Sequence, residues 1–281
     1  MTKMAGAVDG GKFAVEISRI STDNPTETTL DALAVEEPLE IRLGLGRGHR
    51  PVSITMRTPG HDPELAAGFL FTEGILKSPT AVRAIKHCGK FPRNRNTIRV
   101  DVADDFDADL GKLDRHFYTT SSCGVCGKTS LEALATGARP LERPDFPSID
   151  PKIVHRLPET LRAGQSVFDE TGGLHAAALF ETDGRLTLLR EDVGRHNAVD
   201  KLIGAMFLEN KLPLADKILF LSGRASFELL QKAVMAGIPI VCAVGAPSSL
   251  AVEAAREFGV TLLGFVRDRR FNVYAGGERI N

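Results

Sequence analysis

Cysteine is scarce in this chain, with four in 281 residues. That scarcity excludes a disulfide-stapled scaffold, in which many bridges compensate for a small core. An excess of one charge sign is also missing. The chain carries 35 Lys and Arg against 36 Asp and Glu, a formal net charge of -1. Bulk attraction to nucleic acid or to a membrane surface is therefore not expected, although a local basic pocket remains open. Long apolar runs are absent too: the longest, such as residues 238–246, are strand-sized, far short of a bilayer span. Residues 1–10 lack the apolar core of a secretory signal. The expectation is a cytoplasmic protein with reduced thiols and neither nucleic acid nor membrane among its partners. Neither the Walker nor the Rossmann glycine pattern occurs.

What is there is ample material for a core, 43% hydrophobic residues with 25% charged. Residues 39–44 and 52–57 alternate and predict two strands, joined as a hairpin through Gly46-Arg47-Gly48. Asp62-Pro63-Glu64 supplies an N-cap, a proline at N1 and an acid in the first turn, predicting a helix to about residue 76 that buries Leu65, Phe69 and Leu70. Residues 97–102 read as a third strand. A proline-rich stretch at 140–151 reads as a linker. Beyond it the pattern alternates. Strands are predicted at 176–181, 186–190, 218–221, 238–244 and 260–266, and helices at 198–208, 227–236 and 250–258, the last two closed by Gly237 and Gly259. Continuous apolar strands separated by single helices predict an α/β fold whose sheet is covered on both faces.

The first chemical signal is Cys123-Gly124-Val125-Cys126. A CxxC serves three chemistries: a dithiol redox centre, half of a metal site, or a sulfur-carrying thiolate pair. Lys128 and a helix predicted over 128–135 favour the thiolate. Zinc needs four ligands. His87 and Cys88 are an adjacent pair rather than a spaced one, and adjacent side chains in a strand would point to opposite faces, while Cys242 reads as a buried apolar residue.

The second signal is a set of predicted strand ends. Ser222-Gly223-Arg224-Ala225-Ser226, Gly245-Ala246-Pro247-Ser248-Ser249 and Glu191-Asp192-Val193-Gly194-Arg195-His196-Asn197 each open a helix, and Arg267-Asp268-Arg269-Arg270 follows the last strand. Small residues let backbone N–H groups approach an anion, and open α/β sheets bind ligands beyond the carboxyl ends of their strands. Arg195, Arg224, Arg267, Arg269 and Arg270 are thus expected to converge on a phosphorylated, nucleotide-like ligand. His175, after Gly172-Gly173, and His196 are candidates for proton handling, or else hydrogen-bonded histidines of the frame. Asp192 and Glu191 are helix-capping candidates.

Taken together, Ser122-Cys123-Gly124-Val125-Cys126-Gly127, Leu174-His175-Ala176-Ala177-Ala178, the 191–197, 222–226 and 260–274 segments and Pro59-Gly60-His61-Asp62 through Gly74-Ile75 resemble the FdhD family. These are sulfur carrier proteins required for formate dehydrogenase activity. The resemblance covers nearly all of the chain after about residue 35. It implies a sulfurtransferase that takes sulfur from a cysteine desulfurase as a persulfide on Cys123, assisted by Cys126. It implies delivery to the molybdenum cofactor, bis-molybdopterin guanine dinucleotide, for formate dehydrogenase. It also implies cofactor contact by Phe265, Val266, Arg267, Asp268, Arg269 and Arg270, a run more basic than usual, with Ser222, Gly223, Arg224 and Arg195 as further candidates. A homodimer and a larger C-terminal domain like the cytidine deaminase fold are implied as well. The deaminase's own chemistry is not, because its H-x-E motif reads His175-Ala176-Ala177 here, and no catalytic metal is expected.

The expected organisation is a disordered stretch at 1–15, a small α+β domain at 16–115, the CxxC loop and its helix at 116–136, and an α/β cofactor-binding domain at 137–281. Two rival functions stand beside the sulfur carrier: a CxxC dithiol oxidoreductase and a zinc-stabilised nucleotide-binding module.

Overall fold

A computed structural model describes residues 11–22, 26–46, 48–89, 94–106, 141, 147–267 and 269–281. Strands β1 (Lys12–Arg19) and β2 (Glu27–Ala34) form an antiparallel ribbon. Residues 12–15, expected to be disordered, belong to this ribbon, because Phe13, Val15 and Ile17 alternate along one of its faces. Strands β3 (Glu37–Leu45), β4 (Gly48–Arg57), β5 (Val82–His87) and β6 (Thr97–Val102) make a second sheet in the order β4-β3-β6-β5. As predicted, β3 and β4 are a hairpin that turns at Gly46.

Helix α1 (Asp62–Thr72) follows β4 and covers this sheet with Leu65, Ala66 and Leu70. It departs from expectation in three ways. It stops at Thr72, Phe69 is only half-buried, and its N-cap is His61, in the left-handed region at φ 57. Asp62 does not cap because its carboxylate is held elsewhere: both oxygens accept from Arg57, at 3.0 Å each. A bidentate charged pair outweighs a single capping bond.

The third sheet is built by β7 (His175–Glu181), β8 (Leu186–Asp192), β9 (Lys217–Leu221), β10 (Ile240–Ala243), β11 (Thr261–Arg267) and β12 (Arg270–Ala275), in the order β12-β11-β10-β9-β7-β8. Strands β9, β10 and β11 are mutually parallel, and β7 and β12 run against their neighbours. Strand residues alternate between two cores. Leu219, Leu221, Val241 and Leu262 meet helices α5 (Arg195–Leu208), α6 (Phe227–Met235) and α7 (Ser249–Glu257). Ile218, Phe220, Ile240 and Leu263 meet the other side, where Val154 of α2 (Pro151–Val154) and Leu157 and Leu161 of α3 (Leu157–Gly164) pack. Covering both faces is why these strands read as continuous apolar runs. Cys242 sits in the second core, fully buried, and burial pushes its thiol pKa up. Among the described residues, no helix is long and apolar enough to cross a membrane.

Helices α1 and α5 cross at two glycines. A Cβ on Gly68 would overlap the Asp200 carbonyl, and one on Gly204 would overlap the Glu64 carbonyl. Polar groups lock the same interface. Lys232 donates to both carboxylate oxygens of Asp200, at 2.8 and 2.9 Å, and Thr72 donates to Asp200 at 2.9 Å. Arg190 forks onto Glu64 at 2.6 and 2.8 Å. The N-terminal sheet is thereby fixed to the helical layer that frames the larger sheet.

Candidate functional site

The carboxyl ends of β8, β9, β10 and β11 and the first residue of β7 lie along one edge of the large sheet. Beyond the strands the backbone keeps pairing. Val244 N–H donates to Leu221 O at 3.0 Å, Gly245 N–H to Gly223 O at 3.0 Å, and Phe265 N–H to Gly245 O at 3.1 Å. Two further bonds, Ala225 N–H to Ala246 O and Ser248 N–H to Ala225 O, tie the two helix-opening loops together. This edge is therefore a rigid platform rather than a set of independent loops.

Each candidate residue has a defined place on it. Ser222 Oγ accepts from Ala176 N–H at 2.8 Å, so the hydroxyl fastens β9 to β7. Gly223 faces the His175 ring, with room for no more than a methyl group: a Cβ there would lie 3.4 Å from Nδ1. Arg224 is exposed, and its backbone packs on Gly245, where a Cβ would meet Arg224 at 2.9 to 3.1 Å. Arg195 opens α5, half-buried, and its Nε is buried with no hydrogen-bond partner among the described residues.

His175 is half-buried, and its pKa is lowered, first by burial and then by the charges of Arg195 and His196, with Asp192 opposing. Burial and the Arg195 guanidinium thus both disfavour the charged form of the His175 ring. His196 Nε2 lies 3.4 Å from Ser226 Oγ and 3.8 Å from Glu228 Oε2.

The arginine-bearing strand end is irregular. The β11–β12 ladder is bulged between Gly264 and Arg267, and Phe265 within the bulge takes φ 53. An aromatic residue in the left-handed region is strained and persists only where its surroundings impose it. Here the bond to Gly245 O and the close packing of Gly264 against Pro247 and Tyr274 do so. Val266 points the other way and is fully buried in the core, so its side chain is unavailable to a ligand. Arg267 is exposed, with its guanidinium 5.8 Å from the Phe265 ring, and stands opposite Arg270 in the ladder. Arg269 is exposed at φ 56. Cys123, Cys126 and Asp268 lie outside the described residues, as does the helix predicted over 128–135.

Two capping candidates are spent on structure. Asp192 pairs with Lys201 at 2.7 Å and accepts from Gly194 N–H, Asn197 Nδ2 and Thr58 N–H. Lys201 also donates to Thr58 O at 2.9 Å. Glu191 accepts from the backbone of Val167 and Phe168, at the start of α4 (Ser166–Thr171).

Sequence reading missed a cleft beside His175. It has a volume of about 470 Å³ and is walled by Leu161, Phe168 and Leu174, with buried Gln165 and the ends of β9 and β10 at Ser222 and Val244. The two helices that supply it are eight and six residues long, too short for a periodic pattern to stand out over a longer window. The 3.8 Å approach of Glu228 to His196 was not legible either, since an acid in the first turn of a helix reads as ordinary capping.

Comparison with known proteins gives a consistent answer. Residues 34–281 match the FdhD/NarQ family. A relative from Streptomyces avermitilis, named Sulfur carrier protein FdhD, is 53% identical over 264 residues, covering 92% of each chain. A second with that name, from Streptomyces coelicolor, is 51% identical over 263 residues, again with 92% of each chain covered. A solved structure described as a formate dehydrogenase accessory protein from Desulfotalea psychrophila superposes with a TM-score of 0.74 at 26% identity, covering 96% of this chain and 99% of that one.

Proposed function

Because this chain belongs to the FdhD/NarQ family, we propose that it is a sulfur carrier that takes sulfur onto Cys123 and passes it to the molybdenum cofactor used by formate dehydrogenase. In the first step the Cys123 thiolate attacks the outer sulfur of a persulfide on a cysteine desulfurase. The donor's S–S bond breaks, the donor leaves as a thiolate, and Cys123 carries the persulfide. In the second, the Cys126 thiolate attacks the sulfur bonded to Cys123. A Cys123–Cys126 disulfide forms and the terminal sulfur leaves as hydrosulfide. A dithiol reductant then restores both thiols.

The substrate on this reading is bis-molybdopterin guanine dinucleotide carrying molybdenum. The observation that carries it is that Arg195, Arg224, Arg267, Arg269 and Arg270 all stand at the same end of the large sheet, beyond the carboxyl ends of β8, β9 and β11, in a chain whose formal net charge is -1. Planar guanidinium forks suit the dinucleotide's phosphates, and Gly223, Ser222 and Phe265 line the approach. The His175 imidazole is suited to take up a proton during transfer. The protein works in the cytoplasm as a homodimer, between the desulfurase and formate dehydrogenase.

The test is intact-protein mass spectrometry after incubation with a cysteine desulfurase and cysteine. Wild type is expected to gain the mass of one sulfur atom, lost on reduction, and Cys123→Ala to gain none. An equal gain on Cys123→Ala, or no gain on wild type beside a proven active desulfurase, would sink the reading.

A further inference from the structure

The cleft beside His175 contains a polar group that the fold leaves unused. Gln165 joins α3 to α4 and is 4% exposed. Its main chain is committed: its N–H donates to Arg162 O at 3.2 Å, and its carbonyl accepts from Asp169 N–H at 3.0 Å. Its carboxamide bonds to no described residue, yet it is not sealed inside the protein and faces the cleft. A buried amide left unpaired is costly, so a ligand that pairs with it gains more than it would at the surface. The amide is also held ready. Glu191 accepts from Val167 and Phe168 N–H at 3.2 and 2.9 Å, which fixes the start of α4 and the junction before it.

The rest of the lining defines what fits. Leu161 and Leu174 are buried and, with the Phe168 ring, form apolar walls. The Arg162 guanidinium is spent: it lies 4.4 Å from the centre of the Phe168 ring and pairs with Asp169 at 2.8 Å. On the strand side, Ser222 Oγ accepts from Ala176 N–H at 2.8 Å, which leaves the hydroxyl hydrogen to donate. The strand ends there are already paired. Ser222 N–H and Val244 N–H donate to Ala176 O and Leu221 O at 3.0 Å each, so those groups are not offered to an extended peptide. The cleft's 470 Å³ falls in the range of about 300–1,000 Å³ usual for small-molecule sites.

We propose that this cleft is a subsite for a flat, uncharged bicyclic ring with a lactam edge, and that Gln165 is the residue that reads that edge. A carboxamide presents its C=O and an N–H side by side, as does a cyclic lactam, so the two pair through parallel hydrogen bonds. The apolar walls take the faces of the ring. Pterin and guanine share this edge. Both belong to bis-molybdopterin guanine dinucleotide, and for that substrate the assignment rests on the function proposed above. His175 and Ser222 line the cleft and also belong to the strand-end platform, so a phosphate attached to the ring is delivered to the arginine-bearing edge.

The experiment follows the fluorescence anisotropy of pterin, which is uncharged near neutral pH, on titration with the full chain, which has no tryptophan. Wild type is expected to bind it. Gln165→Leu, which keeps the bulk and removes the amide, should weaken binding about tenfold. Phe168→Ala should weaken it about tenfold by removing a stacking face. Guanosine is then titrated as a competitor. Displacement at concentrations below the Kd of pterin assigns the cleft to the guanine, and at concentrations above it to the pterin; either supports the subsite. Circular dichroism confirms folding of each variant, and Phe168→Ala decides if Gln165→Leu does not fold. Unchanged affinity in folded Gln165→Leu overturns the edge-reading role. Failure of wild type to bind pterin, and guanosine by calorimetry, overturns the subsite. If Cys123 of that same protein still loads with sulfur, the carrier reading stands without it.

Discussion

Lys201 shows what a single residue decides here. Its side chain and that of Asp192 are 2% and 0% exposed, 2.7 Å apart, with the remaining bonds of both made to Thr58, Gly194, Asn197 and Glu191 O. Removing one member of such a pair strands the other charge in the interior, at a cost of about 3–5 kcal/mol. Lys201→Met is expected to lose that much in urea unfolding, and Asp192→Asn combined with Lys201→Met to recover a large part of it. If the single variant unfolds like wild type, the pair is not holding the interface. The sequence showed Asp192 only as a capping candidate. Its bond to Gly194 is local and therefore legible, whereas Thr58 lies 134 residues away, and nothing in the pattern around either residue names the other.

Among elements, the α1–α5 crossing is the most sensitive. Because a Cβ at Gly204 would overlap the Glu64 carbonyl, the helices cannot keep their present separation with any larger residue. Gly204→Ala is expected to destabilise the fold by about 1–3 kcal/mol, read as a lowered urea midpoint. An unchanged midpoint would mean that the crossing relaxes freely. Neither glycine was legible, since within a helix a glycine shows only as a weak helix former. Strands β3, β4, β6, β7, β8, β9, β10 and β11 and helices α1, α5, α6 and α7 were legible, because their periods and terminators are local. Gly237 and Gly259 do follow α6 and α7, at φ 74 and 69. Strands β1, β2, β5 and β12 and helices α2 to α4 were not. Most are short or half-exposed, and β12 begins in an arginine run that reads as a ligand loop.

For the molecule as a whole, the N-terminal sheet is joined to the larger one through carboxylates, and this makes acid a specific threat. Burial pushes Glu64 up, but hydrogen bonds from Arg190 and His61 outweigh it and hold the pKa at about 2, against 4.5 for a free glutamate. Since the folded pKa is the lower one, the unfolded chain binds more protons in that window. The stability from this pair is complete above about pH 4.5 and is lost as pH falls toward 2. Urea unfolding at a series of pH values should show Glu64→Gln with a shallower acid slope than wild type. Parallel slopes would show that the Arg190–Glu64 link contributes nothing to acid sensitivity.

The sequence by itself determined the α/β class, the hairpin, the CxxC and the arginines of the strand ends, because hydrophobic period, turn chemistry and residue type are written over a few neighbouring positions. It also carried the family resemblance, spread over several such motifs. Only the tertiary structure decided which polar residues belong to the site and which to the frame. Asp192, Asn197, Asp200, Lys201 and Lys232 are spent on holding the sheets together. Val266 turns into the core, Phe265 is forced into a bulge, and Glu228 meets His196 across two helix starts. Those outcomes depend on which distant segments share a few ångströms, and that is set by packing across the whole chain rather than by any local pattern.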